Sequence, residues 1–221
     1  MRKKQFDIHV MVRRIRKEVA GFADAAMFDL RTRGFVTVFQ QLVACIISIR
    51  TRDEVSLPAA VRLLEVAPDA TSMSRLSERE IDRLIATSTF HETKAKQIRA
   101  IASSAVKHFG GELPADAEVL MSFNGVGPKC ANLALGVAAG QERISVDVHV
   151  ARVTMRWGYV APGGPDQVRR ELEAKLPHKY WIEINRLLVP FGKHICTGRL
   201  PKCSTCPVLE YCRQVGVDAH R

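Results

Sequence analysis

The chain has 221 residues, 47% of them apolar, which is enough to bury one large core or two smaller ones. Its 33 Lys and Arg residues against 23 Asp and Glu give a net charge of +10, which suits a polyanionic partner such as nucleic acid or an acidic membrane surface. Residues 1–33 hold nine of the basic residues and four acidic ones, so the excess charge favours a real basic surface over a protein that is merely basic on average.

The N-terminal segment MRKKQFDIHV is basic but has neither the apolar run nor the cleavage site of a signal peptide. The apolar run LALGVAAG is too short to cross a bilayer. We therefore expect a cytosolic, reducing location, where a tight group of cysteines indicates a metal site more than disulfides. Cys45 and Cys130 each lie in an apolar pattern and are expected to be small buried hydrophobic residues.

Apolar residues recur at intervals of three and four along most of the chain, and the only alternating stretch is the short ERISVDV, so we predict an all-α fold. Ser77 and Glu80 have the spacing of a capping box, and Pro58 and Pro128 are each expected in the first turn of a helix. The clearest helical stripes are Ile8, Met11, Ile15 and Val19; the segment Phe35 to Ile49; and Ala95, Ile98, Ile101, Ala102, Ala105, Val106 and Phe109, ended by Gly110-Gly111.

The segment SFNGVGPKCANLALGVAAG (122–140) has the pattern of a helix-hairpin-helix. One helix should end near Phe123 and the next should begin at Pro128, with Gly125-Val126-Gly127 forming the turn between them. Backbone amides of such a turn can bind a phosphate oxygen at the positive end of the second helix, although an ordinary turn between helices has the same sequence pattern. In a chain of this charge, we favour phosphate binding.

Lys129 falls in the first turn of the second helix of this motif, where the helix dipole opposes a positive charge. The same field favours the neutral amine, which is the form that a lysine nucleophile needs. The alternative is that Lys129 pairs with the phosphate bound by the hairpin. From the residues alone, both interpretations stay open.

The segment ISVDVHVARVTMRWGY (144–159) predicts a helix that begins just after Asp147. Capping that helix is the most ordinary role for Asp147, but a carboxylate can also stabilise positive charge on a sugar anomeric carbon or move protons to and from a lysine. His149 is a candidate contact to DNA backbone, with a structural or solvated histidine as the alternative.

Four cysteines near the C-terminus have the spacing C-x6-C-x2-C-x5-C: Cys196, Cys203, Cys206 and Cys212. This pattern contains one C-x2-C pair, whereas a four-cysteine zinc site usually has two, so the spacing favours a 4Fe-4S cluster over zinc. Arg199 and Lys202 lie between the first two cysteines. They belong either to a phosphate-binding loop or to a solvated charged turn.

In this order, G-V-G-P-K, V-D-V-H and C-x6-C-x2-C-x5-C resemble the endonuclease III family of helix-hairpin-helix DNA glycosylases. The segments I-I-S-I-R-T-R-D (46–53) and F-H-E-T-K-A-K (90–96) also resemble family segments, so the resemblance extends from about Gly34 to Cys212. It implies a two-domain all-α fold, with a six-helix barrel that contains the helix-hairpin-helix over residues 31–140. The iron-sulfur cluster domain would comprise residues 1–30 and 141–221, and double-stranded DNA would bind in the cleft between the domains.

The resemblance further implies a bifunctional DNA glycosylase and abasic-site lyase that acts on damaged DNA as a monomer. Lys129 would be the nucleophile and Asp147 the essential carboxylate. The 4Fe-4S cluster would organise the DNA-binding loop that carries Arg199 and Lys202, without redox chemistry in the cut. The expected substrates are oxidised or ring-saturated pyrimidines such as thymine glycol, removed through a Schiff base and β-elimination.

Three positions depart from the family pattern: Asn124 replaces a proline, Arg50 a gap-filling glutamine, and Phe90 a leucine wedge. Arg50 is expected to contact the orphaned base or a phosphate, and Phe90 is expected either to intercalate between base steps or to lie in the core. These departures bear on the substrate range. The reaction class depends on Lys129 and Asp147, which match the family pattern.

Two rival interpretations remain. A monofunctional mismatch adenine glycosylase shares the cysteine spacing but activates water and needs no lysine at position 129. A non-catalytic DNA-binding protein with a redox-sensing iron-sulfur cluster would need neither Lys129 nor Asp147.

Overall fold

The computed structural model describes residues 3–221. Within that range the chain is all-α, with twelve α-helices and two short 3₁₀ turns, and the alternating segment 142–148 forms no strand. The all-α prediction is therefore confirmed. The chain divides into two compact units, one formed by residues 26–143 and the other by residues 3–25 together with 144–221.

The unit of residues 26–143 contains eight helices around one apolar core. Its central helix, α3, is buried at every residue from Phe39 to Ile47, as the apolar run in the sequence predicts. The family resemblance implies a six-helix barrel over residues 31–140, whereas this unit begins five residues earlier, because α2 packs against α3, α4 and α9. The helices are α2 Ala26–Thr32, α3 Val38–Ser48, α4 Asp53–Val66, α5 Ala70–Arg75, α6 Glu78–Ile85, α7 His91–Phe109, α8 Ala117–Ser122 and α9 Pro128–Ala139.

Most local signals in this unit are confirmed, but Val106, expected on the apolar stripe of α7, is 40% exposed. Ser77 Oγ accepts from the Glu80 amide and the Glu80 carboxylate accepts from the Ser77 amide, which is the capping box expected from their spacing. Pro128 is the first residue of α9. The prediction for Pro58 was wrong, because α4 begins at Asp53 and places Pro58 in its second turn. Two acidic residues in the first turn, favoured by the helix dipole, allow α4 to begin earlier than the proline signal indicates.

The other unit combines the N-terminal helix with the C-terminal part of the chain. Met11 and Ile15 of α1 are fully buried in the same core as Trp157 and Phe191. Glu210 also pairs with basic side chains of the N-terminal segment. The helices of this unit are α1 Ile8–Val19, α10 Val148–Trp157, α11 Pro165–Lys175 and α12 Glu183–His194.

No helix in the described part of the chain is long and apolar enough to span a membrane.

Candidate functional site

The predicted helix-hairpin-helix is present between α8 and α9. The Val126 amide donates to the Phe123 carbonyl at 3.1 Å, and the Val126 side chain is buried. Gly125 has φ +82, and a Cβ at that position would lie 2.2 Å from the side-chain amide of Gln97. The positive φ therefore favours glycine at this position, and the flexible Gln97 side chain would have to move to admit a larger residue. Gly127 precedes α9 in an extended conformation, so the turn leads directly into the first turn of that helix.

Lys129 is the second residue of α9 and is half-buried at the end of the hairpin. Its Nζ lies 3.5 Å from Cys45 Sγ and 3.4 Å from Ser48 Oγ, so both acceptors come from the C-terminal end of α3. The amine is thereby held in one place by a neighbouring helix. A fixed amine at a helix N-terminus is suited to react with an electrophilic carbon whose phosphate is bound beside it.

The two cysteines outside the C-terminal group lie against each other beneath this lysine. Cys45 and Cys130 are buried, as expected, and their sulfur atoms are 2.7 Å apart. The contact with Cys130, helped by the positive charge of Lys129, lowers the pKa of Cys45, whereas the same contact and burial raise the pKa of Cys130. The two thiols and the Lys129 amine therefore form one cluster that joins α3 to α9.

Arg50 and Phe90 are brought together at the surface of the same unit. Both have positive φ, 53° and 55°, and the Arg50 guanidinium lies 5.8 Å from the centre of the Phe90 ring. Phe90 is 58% exposed. Of the two alternatives left open by the sequence, a core position is therefore excluded and a surface position remains. Positive φ at two non-glycine residues stores backbone strain, which is typical of sites that contact a ligand.

Lys94 fixes the two loops that carry this pair. Its Nζ donates to the carbonyls of Ile47 and Ile49 at 2.7 and 2.8 Å and lies 3.1 Å from Thr51 Oγ1. The Thr51 hydroxyl in turn accepts from the amide of Thr89, the residue before Phe90. Burial lowers the pKa of Lys94 to about 8. Three acceptors compensate for placing this amine in the core.

Asp147 caps α10, as the sequence predicts. One of its carboxylate oxygens accepts from the amides of His149 and Val150 at 2.9 and 2.8 Å. His149 is half-buried, and its Nδ1 lies 3.1 Å from an Arg152 nitrogen, an environment that fits a structural role at least as well as a DNA contact. Asp147 and His149 belong to the unit formed by residues 3–25 and 144–221, and Lys129 belongs to the other.

The four C-terminal cysteines line one pocket, whose other walls include Trp157, Phe191 and Ile195. Burial, together with the charges of Cys212, Cys196 and Cys203, raises the pKa of Cys206 to about 12. Four thiolates packed this closely need a cationic centre to remain ionised, so the donor set fits an iron-sulfur cluster chemically. Among residues 3–221, no group of three or more His, Cys, Asp or Glu side chains is arranged to hold a metal ion.

Arg156 holds the loop between the first two of these cysteines. Its guanidinium donates to the carbonyls of Thr197 and Gly198 at 2.6 and 2.8 Å and lies 3.5 Å from Cys196 Sγ. Arg152 adds a bond to the Cys196 carbonyl. On the loop that these bonds shape, Arg199 is exposed and Lys202 is half-buried.

The sequence did not reveal the contacts of Cys45 with Cys130 and Lys129, nor the roles of Lys94 and Arg156. Nothing in the local pattern marks Cys45, because a cysteine in an apolar helix is most often a small core residue. A weak signal existed for Lys94, since it lies next to Ala95 in a stripe that faces the core. Arg156 lies in the last turn of α10, where a basic side chain is common.

Comparisons with known proteins agree with this arrangement. A family model described as HhH-GPD superfamily base excision DNA repair protein matches residues 43–178. The chain is 33% identical over 174 residues to endonuclease III of Thermotoga maritima, which covers 79% of this chain and 82% of that protein. It is 35% identical over 182 residues to endonuclease III-like protein 1 of Bos taurus, covering 81% of this chain but 60% of the bovine protein.

Solved structures show the same fold. A trapped endonuclease III–DNA covalent intermediate superposes with a TM-score of 0.81 at 25% identity, covering 94% of both chains. A thermostable thymine-DNA glycosylase superposes with a TM-score of 0.69 at 18% identity, covering 91% of this chain and 96% of that one, which supports the fold alone. The chain therefore belongs to the endonuclease III family within the HhH-GPD superfamily of base excision DNA repair proteins.

Proposed function

We propose that this chain removes oxidised or ring-saturated pyrimidines, such as thymine glycol, from double-stranded DNA and then cuts the strand, with Lys129 as the nucleophile. Family membership makes the chain a DNA glycosylase and abasic-site lyase of base excision repair. The roles of individual residues and the choice of substrate go beyond family membership. The observation that carries it is the position of the Lys129 amine, held by Cys45 and Ser48 at the start of the helix that follows the hairpin.

The hairpin would bind the DNA backbone beside this amine. Amides of Gly125, Val126 and Gly127 and the positive end of α9 suit a phosphate oxygen, and the net charge of +10 adds a sequence-independent attraction to DNA. Arg199 and Lys202 would contact phosphates from the other unit. The protein would act as a monomer. It would be located in the cytosol, associated with the nucleoid if the source is a bacterium.

A damaged base must first leave the helical stack, because its C1′ atom cannot be reached inside the duplex. The exposed Phe90 and its neighbour Arg50 are suited to this step, with the ring inserted between bases and the guanidinium bonded to the orphaned base. Lys94 and Thr51 fix the loops that carry Arg50 and Phe90, so the two side chains would keep their positions when they contact the duplex.

Lys129 would then attack C1′ in its neutral form. The Nζ–C1′ bond forms while the C1′–N bond to the base breaks, and the base leaves with the electron pair and takes up a proton. The attached nitrogen then loses one proton, its lone pair forms the C1′=N bond as the C1′–O4′ bond breaks, and O4′ takes up a proton, which leaves a protonated Schiff base with one N–H. Removal of a C2′ proton then expels the 3′ phosphate oxygen, which cuts the strand. The endonuclease III neighbour trapped covalently on DNA supports such an intermediate.

Asp147 would stabilise the positive charge that develops on the sugar. Its carboxylate is already fixed by two amides at the start of α10, so little reorganisation is needed when the charge appears. The same two hydrogen bonds mean that Asp147 also contributes to stability as a helix cap. An experiment must therefore separate its charge from its capping role.

Cys196, Cys203, Cys206 and Cys212 would hold a 4Fe-4S cluster. When bound, the cluster would fix the shape of the loop that carries Arg199 and Lys202 and would take no part in the cut. Purified protein should then contain iron and acid-labile sulfide in equal amounts and show a visible absorbance that dithionite bleaches. Zinc without iron would contradict this assignment.

The test of the main proposal is trapping with borohydride. End-labelled duplexes carrying thymine glycol or an abasic site are incubated with wild type, Lys129→Gln and the control Lys107→Gln, which alters an exposed lysine at the end of α7. Wild type and the control should give a covalent protein–DNA band, and Lys129→Gln should give none, because borohydride reduces only a Schiff base. Asp147→Asn keeps a good helix cap but removes the charge, so it should melt like wild type and release base much more slowly.

Other outcomes would point elsewhere. Base release without trapping would favour the monofunctional adenine glycosylase, and strand cutting without trapping would require another lyase chemistry. Binding of lesion duplexes with no reaction on any of them would favour a non-catalytic DNA-binding protein.

A further inference from the structure

A basic pocket opens on the unit formed by residues 3–25 and 144–221, and it contains no residue that the proposed reaction uses. Its volume is about 430 Å³. Basic, aromatic and amide side chains line it, and none of these lining residues is acidic: Lys3, Lys4, Gln5, Phe6, Tyr211 and Arg213. A concave surface that carries several cations and no lining carboxylate is suited to an anion.

Two segments that are distant in sequence form the walls of this pocket. The amide of Lys4 donates to the Glu210 carbonyl at 2.7 Å, which fixes the N-terminal wall along the C-terminal one. The amide of Arg213 donates at 3.2 Å to the carbonyl of Trp157, the last residue of α10, so the C-terminal wall is fixed to that helix. Because the walls are already held together, the pocket needs little ordering when a ligand binds.

The same turn of α10 supports the loop that is predicted to bind DNA. The Arg156 side chain holds that loop, and the Arg156 carbonyl accepts from the amide of Val215, two residues after Arg213. The pocket and the loop that carries Arg199 and Lys202 are thus attached to one turn of one helix. Duplex DNA carries one negative charge per about 1.7 Å of its axis, so a duplex bound at one of these surfaces has further phosphates to offer the other.

One carboxylate lies beside the pocket, and it is already paired. Glu210 contacts Lys4 at 2.6 Å and Arg14 at 2.7 Å, with one cation at each carboxylate oxygen. Together with Lys3 and Arg213, four basic side chains in and beside the pocket therefore face a single acid. A phosphodiester would compensate the positive charge that remains.

Two of the cations keep donors for a ligand. Lys3 Nζ donates to the Leu209 carbonyl at 3.0 Å and to Gln214 Oε1 at 2.8 Å, which leaves the third N–H of its ammonium group. Arg213 is exposed, and its guanidinium makes no hydrogen bond or ion pair within residues 3–221. The remaining donor of Lys3 and the planar fork of Arg213 match the oxygen atoms of a phosphate group.

The aromatic rings of the pocket favour a phosphate over a nucleic-acid base. Phe6 is stacked on Tyr159, with ring centres 4.8 Å apart. The Lys4 ammonium and the Arg14 guanidinium lie 5.8 and 5.2 Å from the centre of the Tyr211 ring. A base would have to compete with these partners in order to stack, whereas a phosphate would gain from the two cations.

We infer that this pocket binds a backbone phosphate of double-stranded DNA outside the lesion, with Lys3 and Arg213 as the contacting residues. The contact reads charge alone, so it strengthens binding to damaged and undamaged duplexes equally and leaves the rate of the chemical step unchanged. It lies outside the motifs that identify the family and does not depend on the role proposed for Lys129. Its effect is to retain the protein on DNA while lesions are sought.

The salt dependence of duplex binding tests the inference. The Kd of the holoprotein is measured between about 50 and 200 mM potassium chloride, on a duplex with a stable abasic-site analogue and on the same duplex undamaged. Each phosphate contact contributes about 0.9 to the slope of log Kd against log salt, a factor of about 3.5 over this range. Arg213→Gln and Lys3→Gln should each lower the slope by about that amount on both duplexes, and the double variant by about twice as much.

Three controls separate a phosphate contact from other effects. Arg213→Lys keeps the charge and should keep the wild-type slope. Lys107→Gln removes an exposed charge at the end of α7, so it tests the effect of net charge and should also keep that slope. Arg213→Gln breaks no internal bond and should melt like wild type, which guards against a folding defect in Lys3→Gln. With protein in excess of Kd, all variants should be trapped on an abasic-site duplex at the wild-type rate.

Several results would overturn the inference. They are a wild-type slope in Arg213→Gln, an equal loss in Arg213→Gln and Arg213→Lys, and a loss confined to the damaged duplex, which would place the contact at the lesion. A melting temperature that ATP raises in wild type but not in Arg213→Gln, with DNA binding unchanged, would assign the pocket to a free nucleotide instead. If the slopes change as expected but Lys129→Gln is still trapped, the proposed function has failed and the phosphate site stands.

Discussion

Replacing Arg156 by methionine should destabilise the loop between Cys196 and Cys203. Methionine retains the apolar stem of Arg156 but removes the donors to the Thr197 and Gly198 carbonyls, at 2.6 and 2.8 Å. The contacts to Cys196, at 3.4 and 3.5 Å, are longer and contribute less. The perturbation therefore tests two good hydrogen bonds from one charged group.

The magnitude follows from these two bonds. Hydrogen bonds to a charged group contribute about 1.5–3 kcal/mol each, and two of them give about 3–6 kcal/mol. Water can reach the exposed Gly198 carbonyl once the guanidinium is gone, which reduces the expected loss of unfolding free energy to about 2–3 kcal/mol. For a chain of this length, that loss corresponds to a fall in melting temperature of about 4–12 °C.

Thermal unfolding and limited proteolysis of the loop measure the effect, with iron content as an independent readout. Arg170→Met removes an exposed arginine of α11 and serves as the control. The melting temperature of Arg156→Lys should lie between those of wild type and Arg156→Met, because an ammonium cannot span both carbonyls. If Arg156→Met melts with wild type and its loop resists protease equally well, the two bonds do not hold the loop and the reasoning fails.

Three further changes test individual features. Phe90→Ala should lower the unfolding free energy by only about 1 kcal/mol, because the ring is 58% exposed, yet it should slow cleavage of a lesion duplex; a large loss of stability with normal cleavage would contradict the surface role. Burial lowers the pKa of Lys94 from 10.5 to about 8, so between these two pH values the unfolded chain binds a proton that the folded chain does not. The contribution of Lys94 to the free energy of unfolding therefore rises with pH across that window. Denaturant titrations should show this rise in wild type and not in Lys94→Met. Asp147→Ala should lower the unfolding free energy by about 1 kcal/mol through loss of the cap while Asp147→Asn does not, and equal melting of the two variants would mean that the cap adds no stability.

Much of the fold could be predicted because the signals are local. A helix cap, a proline at the first helical position and an apolar stripe each depend on residues within a few positions of one another, and α3, α7 and the turn into α9 were found in this way. Pro58 shows the limit of such signals: a proline is permitted at the start of a helix but does not define it, and the acidic residues before it extend α4.

The candidate site could be predicted only where the reactive residue belongs to a motif within one continuous segment. Lys129 and Asp147 follow from single motifs, but the contact between Cys45 and Cys130 joins residues that are 85 positions apart. Apolar periodicity shows that α3 is buried without showing which helix covers it. A cysteine contact and a hydrophobic contact therefore look the same in the sequence, and only the packing of α3 against α9 separates them.

Lys94 could not be predicted for a different reason. An amine in an amphipathic helix is expected to extend toward solvent, because burying it without partners is costly. Its partners here are carbonyls at the end of α3, a helix whose last turn leaves acceptors unused by its own backbone. The compensation that makes burial acceptable thus comes from a distant element, and only the folded chain reveals it.

The two proposed reactive groups both lie at the N-terminal ends of helices, and the same field acts on them in opposite ways. At α10 the carboxylate of Asp147 accepts two amides, so the helix stabilises its negative charge and fixes its position. At α9 the field opposes a positive charge on Lys129, while Cys45 and Ser48 provide acceptors that hold the amine without requiring it to be charged. A carboxylate that stays ionised and an amine that can lose its proton are what the proposed reaction needs, and here one structural device, the helix N-terminus, favours both.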